Sequence, residues 1–273
     1  SKEKTTTLVA ISGLHFPARS RQYLMNFVKE IVVARKADFV VIGGHVLSGK
    51  ELEAELRSRS REAWEMQKVE NSGEEKRKRL TLFEIKEQVA VDFVDEMVRE
   101  LDAFLPKLGV NYHIVVAEKV YDRSIGVKIL EKLSRQRKDV RVFNDPEAKI
   151  PIEISGCGEM RVLVPRKQPW FYENVTGLAQ RLFNGYAMRT NSPAPPLALV
   201  GCTGTGAYIP EYKGVPCITI PALHKLDEQL STENMVGAVV VTISKEADEI
   251  KVVPEFFDFR TAICSERNFV IPT

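Results

Sequence analysis

The chain has 273 residues, 44% of them hydrophobic and 28% charged, with a formal net charge of only +2 at pH 7. That length accommodates one large α/β domain or two small ones, and the apolar share supports a sizeable core, which excludes wholesale disorder. The near-neutral balance excludes a uniformly basic nucleic-acid binder while permitting a local basic face.

The four cysteines, Cys157, Cys202, Cys217 and Cys264, are widely spaced and form no CxxC pair, the usage of reduced, intracellular cysteines. No apolar run is long enough to span a bilayer, and the opening Ser1-Lys-Glu-Lys lacks a signal-peptide pattern, so a cytoplasmic protein with no membrane partner is expected. Abundant Val, Ile, Lys, Glu and Arg with few Gln hint at a thermophile.

In chain order, Thr6 to Ser12 reads as a strand closed by Gly13-Leu-His15-Phe-Pro17. Arg21 to Lys36 carries Leu24, Phe27, Val28, Ile31 and Val32 at helical spacing, and Asp38 to Ile42 is a second buried strand ending at Gly43-Gly44-His45. Strand–helix–strand of this length implies a parallel unit whose two turns lie at one end of the sheet, where open α/β folds bind ligands.

Residues 49–105 are dense in charge and read as a helical insertion broken at Asn71-Ser-Gly73. The first arm carries Arg57, Arg59 and Arg61, and the second opens with Lys76, Arg77, Lys78 and Arg79. Leu82, Ile85, Val89, Phe93, Met97, Leu101 and Phe104 then recur at steps of three or four, so a helical hairpin packing its second arm on the sheet is expected. The basic runs are either solvated helix faces or a phosphate- or partner-contacting arm.

Tyr112 to Val116 is a third strand, followed by Ala117-Glu118-Lys119 and by a helix over 125–135 with Ser124 as its N-cap. Val140 to Phe143 is a strand, and 150–155 and 160–164 form a hairpin around Gly156-Cys-Gly158. Pro169-Trp170 opens a helix to about Phe183. Leu197 to Val200 is a buried strand ending in the glycine-rich loop Gly201-Cys202-Thr203-Gly204-Thr205-Gly206, after which a strand rather than a helix follows; Val215 to Ile220 comes next across a turn at Lys213-Gly214. Residues 237–244 and 249–253 alternate as two more strands. A C-terminal extension of about 256–273 has no clear periodicity, and the whole reads as a single domain of residues 1–273.

Three of these turns resemble motifs of the calcineurin-like metallophosphoesterases. Ile11-Ser-Gly-Leu-His15 stands where that family often has Ile-Ser-Asp-Leu-His. Val40-Val-Ile-Gly-Gly-His45-Val stands for Val-Ile-Gly-Gly-Asp-Val, and Val200-Gly-Cys202-Thr-Gly204 for Val-Gly-His-Thr-His. The resemblance covers roughly residues 6 to 255 and implies an α/β sandwich of two mixed sheets flanked by helices. It also implies a degenerate member. Gly13 replaces the first aspartate, His45 the bridging aspartate, and Cys202 and Gly204 the two late histidines. Glu118 and Lys119 fall on the turn that normally reads Gly-Asn-His, and His15 alone keeps its family type.

Two divalent cations held close together require an anionic bridge, and a well-held cation is needed to activate its bound water. A neutral imidazole at 45 bridges poorly, and glycine at 13 or 204 offers no side-chain ligand. The resemblance therefore implies a protein without the two-metal phosphodiesterase reaction and without cofactor. Such a protein would serve as a scaffold subunit binding protein, nucleic acid or a ribonucleoprotein, with the insertion as its contact arm. Two alternatives remain at this stage. One is a remodelled phosphodiesterase or nuclease whose single zinc or manganese ion is held by His15, His45 and Cys202, with Glu118 or His224 completing the set. The other is a homo-oligomeric structural protein pairing through the apolar stripe of residues 82–104. Anion binding near His45 and Lys119 is a further possibility.

Overall fold

The computed structural model describes residues 5–70, 80–117, 122–152, 157–165, 174–189, 191, 193–224 and 235–260. Glu118, Lys119, Lys76 to Arg79, Pro169, Trp170 and Cys264 lie outside the described residues.

Two mixed sheets are stacked face to face. The first contains β1 (Thr5–Ile11), β2 (Phe39–Gly43), β3 (Asn111–Val115), β4 (Val140–Phe143), β10 (Gly237–Glu246) and β11 (Glu249–Asp258), in the order β11-β10-β1-β2-β3-β4. β1 to β4 run parallel, and β10 and β11 add an antiparallel edge. The second contains β5 (Glu147–Pro151), β6 (Glu159–Leu163), β7 (Ala198–Val200), β8 (Ala207–Tyr212) and β9 (Val215–Thr219), in the order β5-β6-β7-β9-β8. The helices are α1 (Gln22–Ala34), α2 (Gly49–Glu70), α3 (Leu82–Phe104), α4 (Arg123–Gln136) and α5 (Val175–Arg189).

Strand alternation builds the layers. In β1, Leu8 and Ala10 face the second sheet, meeting Ile150, Met160, Val162, Leu199 and Ile218. Val9 and Ile11 face the other way, onto Leu24, Met25, Val28 and Ile31 of α1 and the inner faces of α3 and α4. The outer face of the second sheet, Leu163, Ala198, Val200 and Cys217, is covered by Ala179, Phe183 and Tyr186 of α5. Burial of each such large side chain contributes about 1.5–3 kcal/mol.

The insertion is the expected helical hairpin. Thr81 caps α3 with a full capping box, its hydroxyl accepting from the Glu84 N–H (3.2 Å) and its own N–H donating to the Glu84 carboxylate (2.7 Å). Ile85, Phe93, Met97, Leu101 and Phe104 of the apolar stripe are buried in this chain's own core, leaving Leu82 at its exposed end.

Several boundaries differ from the sequence reading, β5 among them, which spans Glu147–Pro151 where a strand over 150–155 is expected. α4 begins at Arg123, so Ser124 lies inside it. Asp122 precedes it without capping it, because its carboxylate is engaged by other N–H groups. α5 begins at Val175, after a non-helical Asn174, rather than at Pro169, and it continues past Phe183 to Arg189, because Tyr186 prolongs the face packed on the second sheet. β11 runs on to Asp258 beside β10, in register down to Gly237. Among the described residues, no helix is long and apolar enough to cross a membrane.

Candidate functional site

The turns that follow β1, β2, β3, β7 and β9 meet at one end of the sandwich. The first two are zipped together by backbone bonds, with Gly13 N–H to Gly44 O (3.2 Å), His15 N–H to His45 O (3.2 Å) and Phe16 N–H to Val46 O (2.9 Å). Ser12 N–H donates to Pro221 O and Leu223 N–H to Ser12 O, which holds the turn after β9 against the first. The turn after β7 crosses over the end of β2, where a Cβ on Gly201 would stand 1.9 Å from Gly43 O. Only glycine permits that approach.

These turns share an uncommon backbone. Gly13, His15, Gly44, His45, Cys202 and Gly204 all have positive φ, between 49° and 76°. For His15, His45 and Cys202 this left-handed conformation costs about 1–2 kcal/mol each, and it persists because the zipped turns leave no alternative. The three motifs that the sequence singled out thus share a common turn geometry.

Of the side chains named from sequence, His15, His45 and His224 come together. The His15 and His45 ring centres are 3.3 Å apart, and those of His15 and His224 are 4.1 Å apart. His224 is buried and its Nδ1 donates to Gly13 O at 2.6 Å, which fixes its ring. Burial, and after it the neighbouring His45, His224 and Arg19, hold the His15 pKa far below the ordinary imidazole range. Burial first, then His224 and Arg19, lowers that of His45 to about 3. Both rings are neutral at physiological pH.

Cys202 is not part of this trio. Its thiol points at Gly43 O, 3.6 Å away, and packs with the core between the sheets. Burial, and then the nearby Asp122, push its pKa well above the ordinary thiol value, so it is a neutral thiol and a poor nucleophile. Gly13 and Gly204 contribute backbone only, Gly204 O accepting from Met235 N–H at 3.0 Å.

The sequence reading did not identify Asp122. It is fully buried, and its carboxylate accepts from Leu47 N–H (3.0 Å) and Ala117 N–H (2.8 Å), with further backbone bonds from Val46 and His45. Burial raises its pKa and these bonds oppose the rise. An acidic residue at the entry to a helix directly after a strand-end turn was the available signal. Its role is to tie the turn after β2 to the turn after β3.

A metal ion does not fit the donors as they stand. Ligands sharing one ion at about 2.1 Å metal–nitrogen distance stand apart around it, whereas the His15 and His45 rings pack on each other at 3.3 Å. Among the described residues, no group of three or more His, Cys, Asp or Glu is arranged to hold a metal.

In the insertion, Arg59 is bound to its own fold. It pairs with Glu55 and Glu96, both at 2.6 Å, and lies 4.9 Å over the Phe93 ring. Arg57 and Arg61 instead line a groove between α2 and α3.

No protein-family model matches the chain, and no curated protein does. Similar solved structures include Vacuolar Protein Sorting 29 from Cryptosporidium parvum, 12% identical over 93% of this chain and 98% of that one, with a TM-score of 0.44. They also include the calcineurin-like phosphoesterase YfkN from Bacillus subtilis, 10% identical over 98% of this chain and 93% of that one, TM-score 0.45. GAP50, the anchor in the inner membrane complex of Plasmodium, is 7% identical over 94% and 85%, TM-score 0.43.

Proposed function

We propose that this chain is a non-catalytic protein on a metallophosphoesterase-type frame that serves as a binding scaffold within a macromolecular complex. The observation that carries this reading is the fate of the bridging position. His45 stands where a two-metal site needs an anion, it is neutral, and it packs on His15 rather than facing an open ion position. The buried carboxylate nearby, Asp122, is directed at backbone N–H groups and serves the turns. The turn geometry is retained while the groups that would activate a metal-bound water are replaced, so the frame is kept for shape rather than for hydrolysis.

The test is hydrolysis of bis(p-nitrophenyl) phosphate by the purified chain with manganese or zinc supplied. The scaffold reading expects a rate equal to that of buffer with metal alone. Metal-dependent turnover that His15→Ala abolishes would replace it with a remodelled phosphodiesterase.

A further inference from the structure

The groove between α2 and α3 has a volume of about 510 Å³, and Leu56, Arg57, Arg61, Trp64, Leu82 and Lys86 line it. Arg57, Arg61, Trp64 and Lys68 recur along α2 at steps of four, three and four, so they form one stripe on a single helix face. The Lys68 ammonium lies 5.2 Å from the Trp64 ring centre. Among the described residues, Arg59 is the arginine of this cluster held in ion pairs, and Arg57, Arg61 and Lys86 are solvent-exposed cations without one. Exposed cations flanking a half-buried indole and two leucines match a ligand with an apolar anchor and adjacent carboxylates.

The same end of the hairpin exposes large apolar side chains outside the groove. Met66, Val69 and Phe83 are 69%, 73% and 68% exposed. The Gln67 amide faces the Leu80 backbone there, and in the orientation that satisfies both groups it accepts from Leu80 N–H at 2.7 Å and donates to Leu80 O at 3.3 Å, tying the two arms.

Charge separates a protein from a nucleic acid. The two helices together carry seven basic and thirteen acidic residues. The adjoining groove, which shares Leu56 with this one, is lined by Glu53, Glu84, Glu87, Asp95 and Glu131 against Lys128, Lys132 and Arg135, and so is acidic on balance. A phosphate backbone leaving the basic patch would run into this net-acidic surface, whereas the few carboxylates of a peptide need meet only the groove's own cations.

We infer that this groove docks a short acidic segment of a partner protein. Its apolar anchor enters between Leu56, Trp64 and Leu82, and its carboxylates meet Arg57, Arg61 and Lys86. This names the partner class for the scaffold reading and rests on it.

The test uses the whole chain and a fluorescein-labelled 14-residue peptide in which Leu and Phe anchors alternate with Glu and Asp. A counterpart with Lys in place of the acids and a 20-nucleotide single-stranded DNA serve as comparisons. Anisotropy should show saturable binding of the acidic peptide alone. Arg61→Glu combined with Lys86→Glu, or Trp64→Ala, should weaken it about tenfold or more, while Lys149→Glu on the distant β5 leaves it unchanged. Equal binding of the lysine peptide, tighter binding of the DNA, or affinity indifferent to Arg61 and Lys86 overturns the inference. Failed peptide binding with no phosphodiesterase activity leaves the scaffold reading in place. Metal-dependent hydrolysis removes that reading whatever the peptide does.

Discussion

Lowering the pH from 7.5 to 5.0 tests whether the buried imidazoles are neutral, as the geometry requires. His113 on β3 is 4% exposed, packed edge-on against Phe39 and stacked on Phe143, and its Nδ1 has no hydrogen-bond partner among the described residues. Burial, followed by Arg141, lowers its pKa to about 4, and His45 is lowered to about 3. In the unfolded chain both titrate near 6.5, so between these limits the unfolded state binds more protons than the folded one. The stability they support is complete above about pH 6.5 and falls as the pH drops toward 4 and 3. At pH 5.0 each histidine costs the fold up to about 2 kcal/mol, and the pair about 4 kcal/mol. His15 shifts in the same direction and adds to the loss. Asp122 works in the opposite sense, since its raised pKa favours the folded state as the pH falls, and it offsets part of the effect. The depressed carboxylates Glu96 and Asp139 are lost only at lower pH. Urea titrations at the two pH values should show a fall in midpoint with unchanged slope, and His113→Leu should remove up to about 2 kcal/mol of the difference. A midpoint identical at pH 7.5 and 5.0, or one whose fall His113→Leu does not reduce, refutes the reasoning.

Three further substitutions probe the frame and the insertion. Asp122→Ala strands the Leu47 and Ala117 N–H groups in a dry site and should destabilise by about 2–5 kcal/mol; a loss under about 1 kcal/mol in urea titration would mean the carboxylate does not hold the turns. Gly201→Ala forces a Cβ onto Gly43 O, so the sheets must part at their site end. It should cost about 3 kcal/mol or more, or prevent recovery of folded protein, and near-native thermal stability would contradict the close approach. Arg59→Ala removes two partly exposed ion pairs and its position over Phe93. It should cost only about 1 kcal/mol by thermal denaturation and leave peptide binding intact.

Much of the frame was legible because its strands bury both faces and so read as unbroken apolar runs, as in Phe39 to Ile42 and Leu197 to Val200. The hairpin was legible because the stripe from Ile85 to Phe104 keeps helical spacing against the core. Helix ends were less legible. Ser124 has the residue type of an N-cap, but Asp122 sets the entry to α4 through bonds to residues 75 positions earlier and 5 earlier, which no local pattern encodes. The site was legible as a set of turns and less so as a set of contacts. Cys202 follows the expected ligand position, yet its thiol turns to Gly43 O, and His224, from the turn after β9, joins His15 and His45 through its bond to Gly13 O. The basic run 57–61 looked uniform in sequence. Its helical spacing divides it, turning Arg59 toward Glu55 and Glu96 while Arg57 and Arg61 face the groove.

The most direct test of the central claim is phosphodiester hydrolysis by the purified chain with manganese or zinc, read beside bound-metal analysis of the same sample. A site in which His45 is a neutral imidazole packed on His15 should show no turnover above the metal-only rate and no stoichiometric metal. Stoichiometric metal together with turnover lost on His15→Ala would contradict the account.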